Sequence, residues 1–201
     1  MILVLISMLI YGLFHTLLAG QFKTWFQRQF GDRVFYGLYR LIFNLLAVIT
    51  LAPAYLLMSI QERNTLWEIP TNSQPILLII QVISGIGLIV SLLQIDLLRF
   101  LGLRQLMAYF NDAPLPLPNE NLQIRGLYRI VRHPLYLFSI VSIWSVSIMS
   151  DVYLGFCVGA TLYFVVGSFY EERRLVKTFG ESYIEYQRQV PWLIPFVRLP
   201  F

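Results

Sequence analysis

The chain is 201 residues long, 57% apolar and 13% charged, with a formal net charge of +4, a pI near 9.3 and a mean hydropathy of +0.66. Soluble domains carry about 25% charged residues, so this composition excludes a globule coated by its own polar surface. The basic excess sits in short clusters between apolar runs; that pattern fits the cytoplasmic loops of a membrane protein better than a nucleic-acid-binding face.

A helix crossing the hydrocarbon core needs about 20 apolar residues, and five segments meet that need. The first runs from Ile2 to about Gly20. Residues 1–10 contain no Lys or Arg, so the basic start of a signal peptide is missing and the run reads as a retained helix. It carries His15, either a hydrogen-bonded packing residue or a ligand. The second runs from about Leu38 to Ile60, with a kink expected at Pro53. The third runs from Ile76 to about Leu98. Gly85 and Gly87 there suit close helix packing, and Asp96 near its end suits pairing with Arg99 or a neighbouring arginine. The segment Asn111–Asn121, NDAPLPLPNEN, reads as an irregular loop. The fourth segment starts at Pro134 and ends near Ser150, and the fifth runs from Val152 to about Tyr170. Cys157, the single cysteine, has no internal disulfide partner and reads as a small buried or lipid-facing residue.

Lys and Arg placement sets the orientation. The connections carry four, one, five, none and five basic residues in chain order: Lys23, Arg28, Arg33 and Arg40; then Arg63; then Arg99, Arg104, Arg125, Arg129 and Arg132; then none at Ser150–Asp151; then Arg173, Arg174, Lys177, Arg188 and Arg198. Five helices with the N-terminus outside and the C-terminus in the cytoplasm satisfy the positive-inside rule at every connection. The expected fold is therefore an all-α polytopic membrane protein of about five transmembrane helices. It forms one membrane-embedded domain over 1–201, with an N-terminal three-helix part over 1–105 and a core over 122–201.

The fourth and fifth segments form a tight antiparallel pair, so the start of one and the end of the other lie side by side. Those places hold the chain's most suggestive polar residues. Pro134 suits the first turn of a helix, with His133 at the N-cap. The free N–H groups there form an anion site, approached by Arg125, Arg129 and Arg132 and flanked by Tyr128 and Tyr136. Anchoring to anionic lipid is the other reading of these arginines. Glu171 and Glu172 oppose the macrodipole at a helix C-terminus and need compensation, either from Arg173, Arg174 and Lys177 or from a ligand with hydroxyls or positive charge. Tyr183 and Tyr186 read as an interfacial aromatic belt or as a lid over a site. No paired-cysteine metal site, Walker loop, GxGxxG or GxSxG is present. Any active site is therefore built from helix ends and short loops.

The C-terminal stretch reads GLYRIVRHPLYL, then a helical pair, then EERRLVKTFGESYIEYQRQVPWLIP. It closely resembles the isoprenylcysteine carboxyl methyltransferase and phospholipid methyltransferase superfamily of integral membrane enzymes. The shared pattern falls on Gly126 and Tyr128; Arg132, His133, Pro134 and Tyr136; Glu171, Glu172 and Leu175; Phe179, Gly180, Tyr183 and Tyr186; and Val190 and Pro191. HTLLAGQFKTW, LWEIP and FLGLRQ resemble the branch of bacterial methanethiol S-methyltransferases. Gly20 stands where that branch leads one to expect an Arg, and Phe138 where a Gly is common.

The resemblance implies an S-adenosylmethionine-dependent methyltransferase of the bacterial inner membrane, with no metal. It implies a cofactor site of Gly126, Tyr128, Arg132, His133, Pro134, Tyr136, Glu171, Glu172, Tyr183 and Tyr186. His133, Arg132 and the helix N-terminus would hold the methionine carboxylate. Glu171 or Glu172 would accept the ribose hydroxyls or face the cationic half of the cofactor, the tyrosines would wall the pocket, and His133, Arg132 and Glu172 would carry catalysis. A small or lipophilic acceptor, a thiol foremost, would enter from the lipid bilayer. His15 and GDRVFYGLYRLIFN also resemble a group that includes haem-dependent carotenoid isomerases, so a haem-binding isomerase or redox protein is the alternative. A membrane partner with a decayed site is a third reading, which intact Arg132, His133, Glu171 and Glu172 argue against.

Overall fold

A computed structural model describes residues 1–197; Arg198, the last cation of the tail, lies outside the described residues. Helices α1 (Ile2–Leu17), α2 (Lys23–Ile60), α3 (Gln74–Leu93), α4 (Leu97–Leu101), α5 (Leu103–Phe110), α6 (Pro134–Trp144), α7 (Asp151–Phe179) and α8 (Glu181–Gln189) account for most of it. Two short strands, β1 (Thr65–Glu68) and β2 (Ile148–Ser150), pair antiparallel. Three helical stretches are long and apolar enough to cross a membrane: Ile2–Ile60, Thr71–Leu93 and Asp151–Phe179.

The chain divides into two compact units that interleave in sequence. One holds Leu3–Gln61 and Asp96–Glu120; the other holds Met1–Ile2, Glu62–Ile95 and the chain from Asn121 on. Within the second unit α3 packs along α6.

In the first unit, α1 passes through a π-helical turn at Leu18–Phe22 into α2, so the first apolar segment does not stop at Gly20. The backbone leaves helical geometry at Gly31, with φ 80° and ψ 167°, and not at Pro53. Gly tolerates that conformation without a Cβ clash, and the chain doubles back there. The Tyr39 hydroxyl donates to the Leu18 carbonyl, and the rings of His15 and Phe43 sit 4.6 Å apart. The short helices α4 and α5 are tied to α2. Arg40 Nε and Asn44 Nδ2 each donate to the Phe100 carbonyl at 2.9 Å, and Arg33 pairs with Asp112 at 2.6 Å. Asp96 caps α4 through the Arg99 N–H and pairs with Arg104 at 2.6 Å, as its setting among arginines suggested.

In the second unit, α3 presents a stripe of small buried residues, Ser84, Gly87 and Ser91. Such a stripe lets helix backbones approach in a membrane, where apolar burial alone gives little drive. The Phe138 ring of α6 occupies the space at Gly87, where an added Cβ would stand 2.6 Å from it, whereas Gly85 has nothing within 4 Å. Helix α6 ends at Trp144, short of the expected Ser150. The Ser145 hydroxyl turns back to the Val141 carbonyl at 2.6 Å, and the following residues extend into β2. Ser150 then caps α7, accepting the Tyr153 N–H at 3.2 Å.

Gly102 has φ +90°, and a Cβ on it would stand 2.5 Å from the Leu41 backbone nitrogen. Gly102→Ala is expected to cost about 2–3 kcal/mol from the positive φ alone. In thermal unfolding followed by circular dichroism in detergent, it should lower the apparent melting temperature by roughly 5–10 °C. Gly85→Ala, with open space and ordinary backbone, should leave it unchanged.

Candidate active site

Three elements of the second unit converge on one carboxylate. Arg132 and His133 end the segment that leads into α6, Glu172 lies near the end of α7, and Tyr183 and Gln187 project from one face of α8 at the i, i+4 spacing. Glu172 Oε1 accepts Arg132 Nε at 2.9 Å, His133 Nε2 at 2.7 Å and the Tyr183 hydroxyl at 2.8 Å. Its Oε2 accepts the Gln187 amide. Arg132 also donates through Nη1 to the carbonyls of Gln187 at 3.0 Å and Val190 at 2.7 Å. The side chains of Arg132 and Glu172 are only 3% and 9% exposed. A buried ion pair persists where its remaining donors and acceptors are satisfied, and here nearly every bond of the carboxylate stays inside the protein.

Glu171, one residue earlier, is differently placed. Its Oε2 accepts the Tyr136 hydroxyl at 2.8 Å and lies 3.6 Å from His133 Nδ1, and its Oε1 meets Arg174 at 3.2 Å. Its side chain keeps 30% exposure, the most of the four charged groups at the centre. His133 thus lies between two carboxylates. Burial alone lowers its pKa, but the hydrogen bonds and charges of Glu171 and Glu172 overcome that and raise it above the ordinary 6.5. Its ring stacks parallel to Tyr136, at 5.3 Å and 4°, and Tyr136 stacks on Phe164 at 5.4 Å. Burial, then the Glu172 charge, pushes the Tyr183 hydroxyl well up, so it stays protonated and donates.

Of the residues singled out in the sequence, Arg132, His133, Tyr136, Glu171, Glu172 and Tyr183 meet directly. Pro134 is buried in the first turn of α6. Tyr186 joins through its hydroxyl, which donates to the Tyr128 carbonyl. Tyr183 and Tyr186 are 1% and 7% exposed, so neither belongs to an interfacial belt. Gly126 serves a neighbouring contact: at φ +62° it lets the Gln94 side chain of α3 approach, and Gln94 Oε1 accepts the Leu127 N–H at 3.0 Å. The backbone N–H of His133, expected to be open to an anion, faces the Trp192 carbonyl at 3.3 Å, and that of Arg132 is shared by the carbonyls of Pro191 and Trp192. Helical bonding in α6 begins with Leu137, which leaves the N–H groups of Leu135 and Tyr136 as the first-turn donors.

Sequence reasoning missed Gln187, Trp192 and Ser168. The Trp192 indole donates to the Ser168 hydroxyl at 3.1 Å and stacks on Phe169 at 4.8 Å. The i, i+4 relation of Gln187 to Tyr183 was the available signal for the first; nothing local marks the others. His15, in the other unit, packs its ring near Tyr11 and Phe43. Among the described residues no group of three or more His, Cys, Asp or Glu is placed to hold a metal.

Residues 80–182 match the phospholipid methyltransferase family. The chain belongs to that family. It is similar to methanethiol S-methyltransferase 1 of Bradyrhizobium diazoefficiens, 31% identical over 97% of this chain and 68% of the relative. It is also similar to a methanethiol S-methyltransferase of Mycobacterium tuberculosis, 30% identical over 96% of this chain and 78% of the relative. Protein-S-isoprenylcysteine O-methyltransferase B of Arabidopsis thaliana is 36% identical over 39% of this chain and 42% of its own length. No solved structure matches the chain. The protein is a membrane-bound methyltransferase.

Two measurements test the cluster. Tyr183→Phe removes one donor to a buried charge and should cost about 1.5–3 kcal/mol, seen as a lower apparent melting temperature. The raised His133 pKa means its contribution is full below the unfolded value of 6.5 and fades as pH rises through the folded value. The wild type should therefore lose thermal stability on the alkaline side, and His133→Gln should show a flatter profile there.

Proposed function

We propose that this methyltransferase moves the methyl group of S-adenosylmethionine to a small thiol, with the donor held where α6 begins and α7 ends. The observation that carries the reading is the meeting of the His133 corner with the Glu171–Glu172 pair, 39 residues apart in sequence between His133 and Glu172. The thiol is favoured because relatives matching nearly the whole chain are named methanethiol S-methyltransferases.

The residues present fit that donor. S-Adenosylmethionine offers an ammonium, a sulfonium, a carboxylate and ribose hydroxyls. Glu171 is an acid with exposed surface beside aromatic rings, suited to the cationic half or the hydroxyls. The first-turn N–H groups of α6 would hold the carboxylate. Arg132, through Nε and Nη1, and Glu172, through both oxygens, are held by one another, by His133, by α8 and by the Val190 carbonyl, which supports a positioning role for both. When bound, the donor supplies a methyl group on a sulfonium, open to in-line displacement. The chain's own work is then to fix that geometry. Well-aligned reactants lower a barrier by about 7–11 kcal/mol at best, and the Phe164–Tyr136–His133 stack is a rigid wall for that purpose. Cationic groups nearby favour a thiolate acceptor, which would arrive from the bilayer.

A five-helix topology, N-terminus outside and C-terminus cytoplasmic in a bacterial inner membrane, goes with this reading. The two connections poor in basic residues are joined by the β1–β2 ladder, and Asp151 there lies 4.0 Å from the Met1 ammonium. The basic connections meet separately: Arg33 and Arg40 with the 96–120 segment, and Arg132 with Pro191 and Trp192. Helix α6 alone rises only about 16 Å, but the extended residues 145–150 add up to about 20 Å, enough together for a core of about 30 Å.

Glu171→Gln should weaken binding of labelled S-adenosylmethionine by about 10–100-fold, the cost of losing a hydrogen bond to a charge, with a smaller fall in melting temperature than Glu172→Gln. Glu172→Gln should lower binding and melting temperature together. Undiminished donor binding in both Glu171→Gln and His133→Ala would sink the proposed site. Absence of a volatile sulfide product from methanethiol would remove the thiol.

A further inference from the structure

We infer that the exposed face of α7 holds an anionic phospholipid, with its phosphate on Arg173 and Lys177 and an acyl chain along the stripe below them. The stripe consists of Leu162, Val166, Phe169 and Tyr170, between 37% and 57% exposed. Val166, Tyr170, Arg173 and Lys177 follow at i, i+4, i+7 and i+11, so apolar and cationic residues form one continuous line. An open pocket of about 230 Å³ lies on it, lined by Val166, Phe169, Tyr170 and Arg173. Phe169 is braced from behind by Trp192, stacked at 4.8 Å, which gives the pocket a firm floor.

The level is right for a headgroup. Helix α7 has 29 residues, about 43 Å long, against a hydrocarbon core of about 30 Å. A helix entering the core at its capped start leaves it close to Tyr170, so Arg173 and Lys177 stand among the phosphates. The acids nearby are already engaged, Glu171 with Arg174 and Glu172 with Arg132; among the described residues no acid pairs with Arg173 or Lys177. Two cations above an apolar groove complement a lipid whose headgroup carries net negative charge. A zwitterionic headgroup would bring its own ammonium against them.

The inference is independent of the methyl acceptor and of the donor site, since the bound lipid is resident and not consumed. Phosphatidylglycerol, which has no amine to methylate, is the suitable probe. Protein in detergent is titrated with phosphatidylglycerol or phosphatidylcholine and the retained lipid counted by native mass spectrometry. One phosphatidylglycerol should be retained in clear preference to phosphatidylcholine. The double variant Arg173→Gln/Lys177→Gln should lower its affinity by roughly thirty-fold, the equivalent of two charges near a lipid surface. Val166→Trp, which fills the groove and leaves the charges, should also weaken retention, whereas Arg188→Gln should not. Equal retention of the two lipids, or undiminished phosphatidylglycerol in the double variant at unchanged helicity, overturns the inference.

Discussion

One oxygen atom, Oε1 of Glu172 on α7, receives a guanidinium and an imidazole from the segment leading into α6 and a phenol from α8. In a membrane protein, apolar burial gives helices little reason to prefer one neighbour over another. Directional bonds to a buried charge supply that preference, and breaking one side of such a pair costs about 3–5 kcal/mol because the other charge is stranded. Glu172 therefore fixes where the His133 corner stands relative to α7 and where α8 lies across them. The accessible Glu171, the Tyr136 stack and the tail carbonyls all take their positions from that knot.

The two adjacent acids divide the labour by helical geometry. Successive residues on a helix point about 100° apart, so one acid of the pair turns into the protein while its neighbour keeps an exposed edge. The fifth helix does not end near Tyr170 as expected but continues to Phe179, so the two acids stand about two turns inside it and not against its macrodipole; the four charges Arg132, His133, Glu171 and Glu172 cancel once His133 is protonated, and Arg174 stands at the rim.

Much of this was legible in the sequence. The long apolar runs and the juxtaposition of Arg132-His133 with Glu171-Glu172 follow from composition, spacing and the antiparallel hairpin. The pairing of Asp96 with an arginine follows likewise. Other features were hidden because they depend on contacts distant in sequence. The stop of α6 at Trp144 reflects β2 pairing with a segment some 80 residues earlier, which no local propensity records. The break at Gly31 rather than Pro53 reflects a proline that a membrane helix can absorb and a glycine placed where the chain must reverse. The Trp192 carbonyl over the His133 N–H is hidden from the sequence because it arrives from a segment 59 residues further on. Phe138, an unexpected bulk at a place where glycine is common, has its partner in Gly87, again across the fold.

Helix α7 runs uninterrupted from its serine cap to Phe179, and it behaves as an indexed shaft. Side-chain exchanges along it leave the angular setting of its far end alone, whereas one inserted or deleted residue turns everything beyond by about 100°. Such a change near Leu154 would swing both acids out of phase with the imidazole, although it lies far from any reacting atom. Length along this rod thus sets the phase between the acids and the imidazole, while the irregular stretch between α5 and α6 can gain or lose residues without altering it.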